Sequence, residues 1–157
     1  MTKKNTSASA SGAGNSAGTS GRATSAGILF DASGTVPAYL SRTDHRQQAS
    51  GHRNKWKILP LEEYGIFITS HKEKYVCDKK HNWGVGIKFE EFGTDGERIA
   101  KFPNPSNPSD ERHGYPVSAR DSKREFEHRP PATLTSRWRD KGYISEIEKA
   151  RIDRGKV

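Results

Sequence analysis

Apolar side chains alternate with small or polar ones along the segment that begins at Trp83. The apolar positions are Trp83, Val85, Ile87 and Phe89. Successive side chains of an extended chain point to opposite faces, so these apolar side chains would share one face of a strand. Glycine and lysine lie between them, which predicts a second face open to solvent. The pattern therefore predicts a half-buried strand over residues 83–92 and, with it, a folded core.

Other short apolar runs precede and follow this strand, and turn-forming residues separate them. The runs are Lys55–Leu59, Gly65–Thr69, Lys74–Cys77 and Arg98–Phe102. The sequence Thr94-Asp95-Gly96 predicts a hairpin turn before the last run, because glycine adopts the positive φ that such turns require. Short connections favour antiparallel pairing, since parallel strands need long crossovers. We therefore expect the strands mainly within residues 55–102, in an antiparallel meander.

The carboxyl-terminal third of the chain carries helical signals. We expect helices at residues 118–127, 132–141 and 145–154. Ser118 and Ser145 are suited to cap the first and the third helix, and Glu148 completes a capping box with Ser145. Gly142 is suited to end the second helix in a left-handed conformation. The helices would therefore lie mainly within residues 118–154.

Residues 1–27 consist almost entirely of Ser, Thr, Gly, Ala and Asn. Such a segment has too little apolar area to offset the entropy lost on ordering, which predicts a disordered N-terminal tail. Residues 28–157 have the length of a single small basic domain. The expected fold class is α+β, in which an antiparallel β-meander of about four to six strands packs against roughly two or three C-terminal helices.

The chain is basic, with 27 Lys and Arg residues against 19 Asp and Glu residues and a net charge of +8. Positive charge favours polyanionic partners through attraction to phosphates and release of counterions. Cys77 is the only cysteine, which excludes an intrachain disulfide and a cysteine-based zinc site. The sequence has no run of about 18 apolar residues, so we expect no membrane association. Together these features predict a cytoplasmic protein.

The first functional hypothesis is a non-enzymatic nucleic-acid-binding or regulatory protein. Lys and Arg side chains of the sheet turns and the C-terminal helices would contact the phosphates of RNA or DNA. The expected contacts are Lys72, Lys74, Lys79, Lys80, Lys88, Lys101, Arg137, Arg139, Lys141 and Arg151. Aromatic side chains near such cations can stack on the bases of a single strand.

The second hypothesis is a small metal-independent ribonuclease of the toxin or effector type. Such an enzyme needs a general acid and a general base, often histidines, and a cation near the charge that develops on the phosphorus. His71 and His113 are the expected acid–base pair, and Arg98 and Arg120 are the expected cations. The sequence contains no dinucleotide fingerprint, phosphate loop or His-Glu-x-x-His pattern, so we expect no cofactor and no metal.

The third hypothesis is a protein-interaction module, an inhibitor or adaptor that binds an acidic protein through a sheet edge or its helices. The residue pattern leaves all three alternatives open, because none of the candidate residues is brought together by its spacing alone. Salt-sensitive binding of intact nucleic acid would favour the first hypothesis, and cleavage would favour the second. A stable protein complex without affinity for nucleic acid would favour the third.

Overall fold

The computed structural model describes residues 20–46, 54–120 and 128–157. These ranges contain, in chain order, β1 (Arg22–Thr24), β2 (Gly27–Phe30), β3 (Tyr39–Arg42), α1 (Pro60–Lys72), β4 (Asn82–Val85), β5 (Ile99–Phe102), β6 (Tyr115–Val117), α2 (Ala132–Asp140) and α3 (Glu146–Asp153). A short 3-10 helix, Thr43–His45, directly follows β3.

The strands form two antiparallel sheets rather than one meander. One sheet has the order β1-β2-β3 and the other the order β4-β5-β6, each with three strands. In the first sheet Phe30 pairs with Tyr39, and in the second Val85 pairs with Ile99. The α+β class and the antiparallel pairing are therefore confirmed, while the prediction of one continuous sheet is wrong.

The first sheet begins inside the range that the sequence predicts as a disordered tail. β1 spans Arg22–Thr24 and β2 begins at Gly27. The backbone of this hairpin pairs along its length, and the Thr24 hydroxyl donates to the Gly27 carbonyl at 2.8 Å, which fixes the turn. The tail prediction is therefore wrong from Arg22 onward, and residues 1–19 lie outside the described residues.

The segment Gly65–Thr69, predicted as a strand, lies within α1. Pro60 opens this helix, and the Glu62 carboxylate accepts the backbone N–H of Leu59 at 2.9 Å. A proline in the first turn and a carboxylate that returns to the cap are helix-starting signals. The β-branched residues of the segment favour a strand locally, but burial follows helical spacing, at Glu63, Tyr64, Phe67 and Ser70.

β4 is shorter than the strand predicted over residues 83–92. It ends at Val85, and a turn follows in which the Phe89 N–H donates to the Gly86 carbonyl at 3.1 Å. This turn leaves Ile87 70% exposed, whereas the alternation places it with the buried side chains. The second face of β4 is covered as well, because α1 packs on the Gly84 side. The prediction of a half-buried strand is therefore wrong on both length and exposure.

Two other predicted strands, Lys55–Leu59 and Lys74–Cys77, make only single bridges outside both sheets. The first run ends where α1 begins, and the second starts directly after the C-cap of α1. The bridges pair Trp56 with Arg46 and with Gly93, and Val76 with Asn82.

The run Arg98–Phe102 and the turn before it agree with the sequence prediction. β5 spans Ile99–Phe102, and all its residues are buried. Gly96 has a φ of 85°, and its N–H donates to the Gly93 carbonyl at 3.1 Å. Glycine is favoured at such a turn position because it has no Cβ to clash with the backbone.

The second sheet separates two groups of buried apolar side chains. Successive residues of β5 point to opposite faces, so Ile99 belongs to one group and Ala100 to the other. The first group joins the sheet to the C-terminal helices through Leu134, Trp138 and Ile152. The second joins it to α1 and the first sheet through Phe30, Tyr39, Trp56, Phe67 and Phe102.

Two of the three predicted C-terminal helices are present. Gly142 has a φ of 81° just beyond α2, and the Ser145 hydroxyl accepts the N–H of Glu148 at 3.0 Å at the start of α3. Both local signals therefore mark these helix ends correctly. The predicted helix 118–127 is described only at Ser118–Arg120, which is not helical, and its residues 121–127 lie outside the described residues.

Gly84 lies where α1 crosses β4, and a Cβ added there would stand 2.6 Å from Cγ2 of Ile66. We expect Gly84→Ala to lower the free energy of unfolding by about 1–3 kcal/mol, because the helix would have to move off the strand. Gly65, on α1, has open space around it and is the matched control. Gly65→Ala should raise the free energy of unfolding by about 0.5–1 kcal/mol. Chemical denaturation measures both values, and a change of the same sign in the two variants would contradict this packing.

Candidate functional site

Several predicted nucleic-acid contacts meet where the ends of α1 and α2 come together. The Arg137 guanidinium donates to the backbone oxygens of Glu73 at 2.6 Å and Lys74 at 3.1 Å, and it lies 4.7 Å from the centre of the Tyr75 ring. Lys141 forms an ion pair with Glu73 at 3.3 Å. These cations therefore tie α2 to the end of α1, and exposed Lys74 lies beside them.

The other predicted contacts are spread over different surfaces. Lys101 is only 6% exposed, and its Nζ lies 5.5 Å from the centre of the Trp83 ring. Lys88 is exposed and lies beyond the end of β4, whereas Lys101 lies on β5. Arg139 forms ion pairs with Asp140 and Glu146. The remaining exposed contacts are Lys72, Lys79, Lys80 and Arg151.

The four residues of the predicted nuclease site lie in three places. His71 lies at the end of α1, with its ring 6.1 Å from that of Phe67. Arg98 and Arg120 line a cleft together with Arg151. His113 lies just before β6, and its ring partner is His45 rather than His71. The predicted acid–base pair is therefore not brought together in this fold.

His113 belongs to a row of four half-buried rings, here called the ring cluster, which consists of His45, His113, Tyr115 and His128. The imidazoles of His45 and His113 are nearly parallel, with ring centres 5.8 Å apart and planes 9° apart. The Tyr115 ring lies 5.4 Å from that of His45 and 6.2 Å from that of His128. The ring cluster thus joins the 3-10 helix after β3, the start of β6 and the segment before α2.

Trp56 holds two parts of the ring cluster in place. Its backbone N–H donates to the His45 carbonyl at 2.8 Å, and its indole N–H donates to the Gly114 carbonyl at 2.9 Å. Trp56 has no exposed surface, so both hydrogen bonds are protected from water. The neighbouring Arg112 backbone pairs in parallel with Tyr39 of β3, which fixes the segment that carries His113.

Burial lowers the pKa values of both stacked imidazoles. The pKa of His45 falls to about 4, chiefly through burial, with the nearby charge of Asp44 opposing the fall and that of His113 adding to it. Burial also lowers the pKa of His113, and the charge of Arg42 adds to this effect. The hydrogen bonds from Arg42, at 2.9 and 2.7 Å, lower the pKa of Asp44 to about 2. At neutral pH the two imidazoles are therefore uncharged.

A buried carboxylate of α1 contacts β3 and the residue that follows the 3-10 helix. Glu63 of α1 has no exposed surface and accepts hydrogen bonds from the Tyr39 hydroxyl at 2.6 Å, the Ser41 hydroxyl at 2.7 Å and the Arg46 guanidinium at 2.6 Å. Arg46 also donates to the backbone oxygen of Ile58, just before α1. Burial raises the pKa of Glu63 to about 7, against the opposing effect of these hydrogen bonds and the Arg46 charge.

The sequence analysis missed both His45 and Glu63. His45 lies in a polar stretch that carries no periodic signal, and no motif links it to His113. Glu63 follows Glu62 directly, and paired acids usually indicate a solvent-facing position. On a helix, however, adjacent residues differ by about 100° in direction, so Glu62 faces solvent while Glu63 points into the core. Helical spacing places Glu63 on the buried side of α1 with Tyr64 and Phe67, and the sequence analysis assigned no helix here.

Within the described ranges, His, Cys, Asp and Glu side chains do not gather into groups of three that could hold a metal ion. No helix in that part of the chain has both the length and the apolar character needed to cross a membrane. Comparison of the chain with protein-family models, curated proteins and solved structures gave no match.

Proposed function

We propose that this protein binds single-stranded nucleic acid at the ring cluster. The observation that carries the proposal is the row of half-buried rings from His113 through His45 and Tyr115 to His128, with ring centres 5.4–6.2 Å apart. Exposed edges and faces of such rings are suited to stack on bases, and each stacked base contributes about 1–3 kcal/mol. Bases are accessible in this way in single strands rather than in duplexes.

The charge around the ring cluster supports the same proposal. His45 and His113 are uncharged at neutral pH because burial lowers their pKa values, so their rings can meet a base without a charge to desolvate. The positive charges of Arg42 and Lys55 act on the His45 ring. Arg42 is the more accessible of the two, with 41% of its side chain exposed. Two of its guanidinium nitrogens donate to Asp44, and the third is suited to contact a phosphate.

The test measures binding of fluorescently labelled single-stranded RNA and of duplex DNA by anisotropy at two salt concentrations. We expect the single strand to bind more tightly and the affinity to fall steeply with salt, as phosphate contacts release counterions. His45→Ala and His113→Ala should each weaken binding about tenfold, since each removes a stacking ring. His71→Ala is the matched control, because His71 is also half-buried but lies on α1 outside the ring cluster.

Binding that is equal for single-stranded RNA and duplex DNA would contradict a stacking site. The same conclusion follows if His45→Ala and His71→Ala have equal affinities. If neither probe binds, an acidic protein becomes the expected partner, and the third hypothesis of the sequence analysis replaces this proposal.

A second candidate function is metal-independent cleavage of RNA, and the pairing of His45 with His113 favours it. Two imidazoles 5.8 Å apart are suited to act as a general base and a general acid. One, in its uncharged form, would take the proton of the 2′-hydroxyl as its oxygen attacks phosphorus, and the other, in its protonated form, would donate a proton to the departing 5′ oxygen. Because burial lowers the pKa values of both rings, we expect such cleavage to be faster at acidic pH than at neutral pH. The products would be a 2′,3′-cyclic phosphate and a free 5′-hydroxyl.

Electrophoresis of the RNA after the binding measurement tests this second candidate. Cleavage should persist with chelator present, disappear in His45→Ala and His113→Ala, and continue in His71→Ala. RNA that stays intact with the unmodified protein would exclude cleavage while leaving the binding proposal in place.

A further inference from the structure

A separate charged cleft lies away from the ring cluster. It has a volume of about 430 Å³ and lies between the connection from β4 to β5, the segment after β6, and α3 with the residues that follow it. Both signs of charge line it, and Arg98, Arg120, Arg151 and Lys156 are its cations. A volume of this size falls in the range of small-molecule sites, which is about 300–1,000 Å³.

Three of the carboxylates that line the cleft are already satisfied by donors of the protein. Glu91 forms ion pairs with Lys57 at 3.4 Å and Arg98 at 3.2 Å. Glu97 accepts the backbone N–H of Asp95 at 3.0 Å. Glu148 accepts the backbone N–H of Ser145 at 2.7 Å. Glu91 therefore pairs with Arg98, whereas Glu97 and Glu148 accept from neutral N–H groups and form no ion pair with the cations of the cleft among the described residues.

The cations on the other walls lie on segments that hydrogen bonds connect. Arg151 donates to the Lys156 carbonyl at 3.3 Å, and the Arg120 backbone N–H donates to the Val157 oxygen at 3.1 Å. Among the described residues, the side chains of Arg120, Arg151 and Lys156 form no ion pair, although all three are exposed and line one cleft. Because these three cations have no ion-pair partner in this part of the chain, they are available to bind an anion.

We propose that this charged cleft binds the phosphate group of a small ligand of mononucleotide size. Arginine guanidinium groups match phosphate oxygens in geometry and bind them through paired hydrogen bonds, which Arg120 and Arg151 are suited to form. The cleft also contains exposed Asp95, whose carboxylate can accept a hydrogen bond from a ribose hydroxyl or a base amino group. This proposal does not rest on nucleic-acid binding at the ring cluster.

Isothermal titration of the full chain with adenosine 5′-monophosphate, and separately with inorganic phosphate, tests the proposal at constant ionic strength. We expect saturable binding of the nucleotide and weaker binding of inorganic phosphate. Arg120→Gln and Arg151→Gln should each weaken nucleotide binding about tenfold, since each removes a charge-assisted contact. Arg154→Gln is the matched control, because Arg154 is an exposed arginine that follows α3 and does not line the cleft.

The absence of saturable nucleotide binding would overturn the proposal, as would an equal loss in Arg154→Gln, which would indicate an effect of overall charge. Inorganic phosphate that binds as tightly as the nucleotide would overturn the assignment to a nucleotide. His45→Ala should bind the nucleotide normally. Failure at the ring cluster is therefore distinguishable from failure at this cleft.

Discussion

Replacing Glu63 with alanine is expected to lower the free energy of unfolding by about 3–5 kcal/mol above pH 7, where the carboxylate is charged, because it breaks a buried ion pair from one side. The Arg46 side chain is only 13% exposed and would keep its charge without a carboxylate. The hydroxyls of Tyr39 and Ser41, both buried, would lose their acceptor as well. Equilibrium denaturation measures the change. Glu62→Gln, which alters the adjacent exposed acid of the same helix, should shift the value by only about 0.5 kcal/mol or less.

The pH dependence of the free energy of unfolding distinguishes the loss of the Glu63 carboxyl group from a loss of packing contacts alone. Burial raises the pKa of Glu63 to about 7 in the folded protein, against an ordinary value of 4.5, so the folded state keeps the proton to higher pH. The contribution of Glu63 to the free energy of unfolding therefore falls as pH rises from 4.5 to 7, by up to about 3 kcal/mol. His45, whose folded pKa is about 4 against 6.5, acts in the opposite direction over nearly the same window.

The two opposing titrations should make the stability of the unmodified protein depend less on pH between 4.5 and 6.5 than Glu63 alone would. Glu63→Gln removes one of them, so the stability of that variant should rise with pH across this window. The rise is limited because the His45 ring is only half-buried and solvent screens its charge. Equal slopes for the two proteins would contradict a protonated carboxyl at Glu63.

Replacing Trp56 with phenylalanine is expected to lower the free energy of unfolding by about 2–4 kcal/mol and to weaken RNA binding about tenfold. The change removes the indole N–H that donates to Gly114 and leaves that buried carbonyl without its partner. It also leaves space between the segments that carry His45 and His113. Denaturation gives the first value, and anisotropy under conditions where the variant is folded gives the second.

Trp138→Phe is the matched control for this prediction. Trp138 is equally buried, but its indole N–H has no hydrogen-bond partner among the described residues, and it lies on α2 in the other group of buried side chains. Trp138→Phe should therefore lower the free energy of unfolding by less than Trp56→Phe does and leave RNA binding unchanged. Weakened binding in both variants would show that the loss follows from general destabilisation rather than from the position of the ring cluster.

The sequence predictions were most accurate where the structure depends on residues that are close together in the chain. Gly142 ends α2, and Ser145 with Glu148 starts α3, through interactions within about one helical turn. The turn at Gly96 is equally local. These features were predicted correctly because the residues that decide them are neighbours in the chain.

The segment Gly65–Thr69 shows why the rest was not predicted. Its β-branched residues favour a strand, yet α1 forms because a helix buries Tyr64 and Phe67 against side chains from the two sheets. Intrinsic propensity differs by only about 0.7 kcal/mol per residue, which is less than the burial of one aromatic side chain contributes. Burial against distant partners therefore outweighed the local preference.

The sequence alone determined an α+β chain with antiparallel strands, the ends of α2 and α3, and an excess of positive charge. The tertiary structure decided that Glu63 is buried, that His45 stacks on His113 and that Arg120 and Arg151 line one cleft. Each of these three results joins residues far apart in the chain. Their proximity depends on how helices and sheets pack, and packing energy is a property of the whole fold rather than of any short segment.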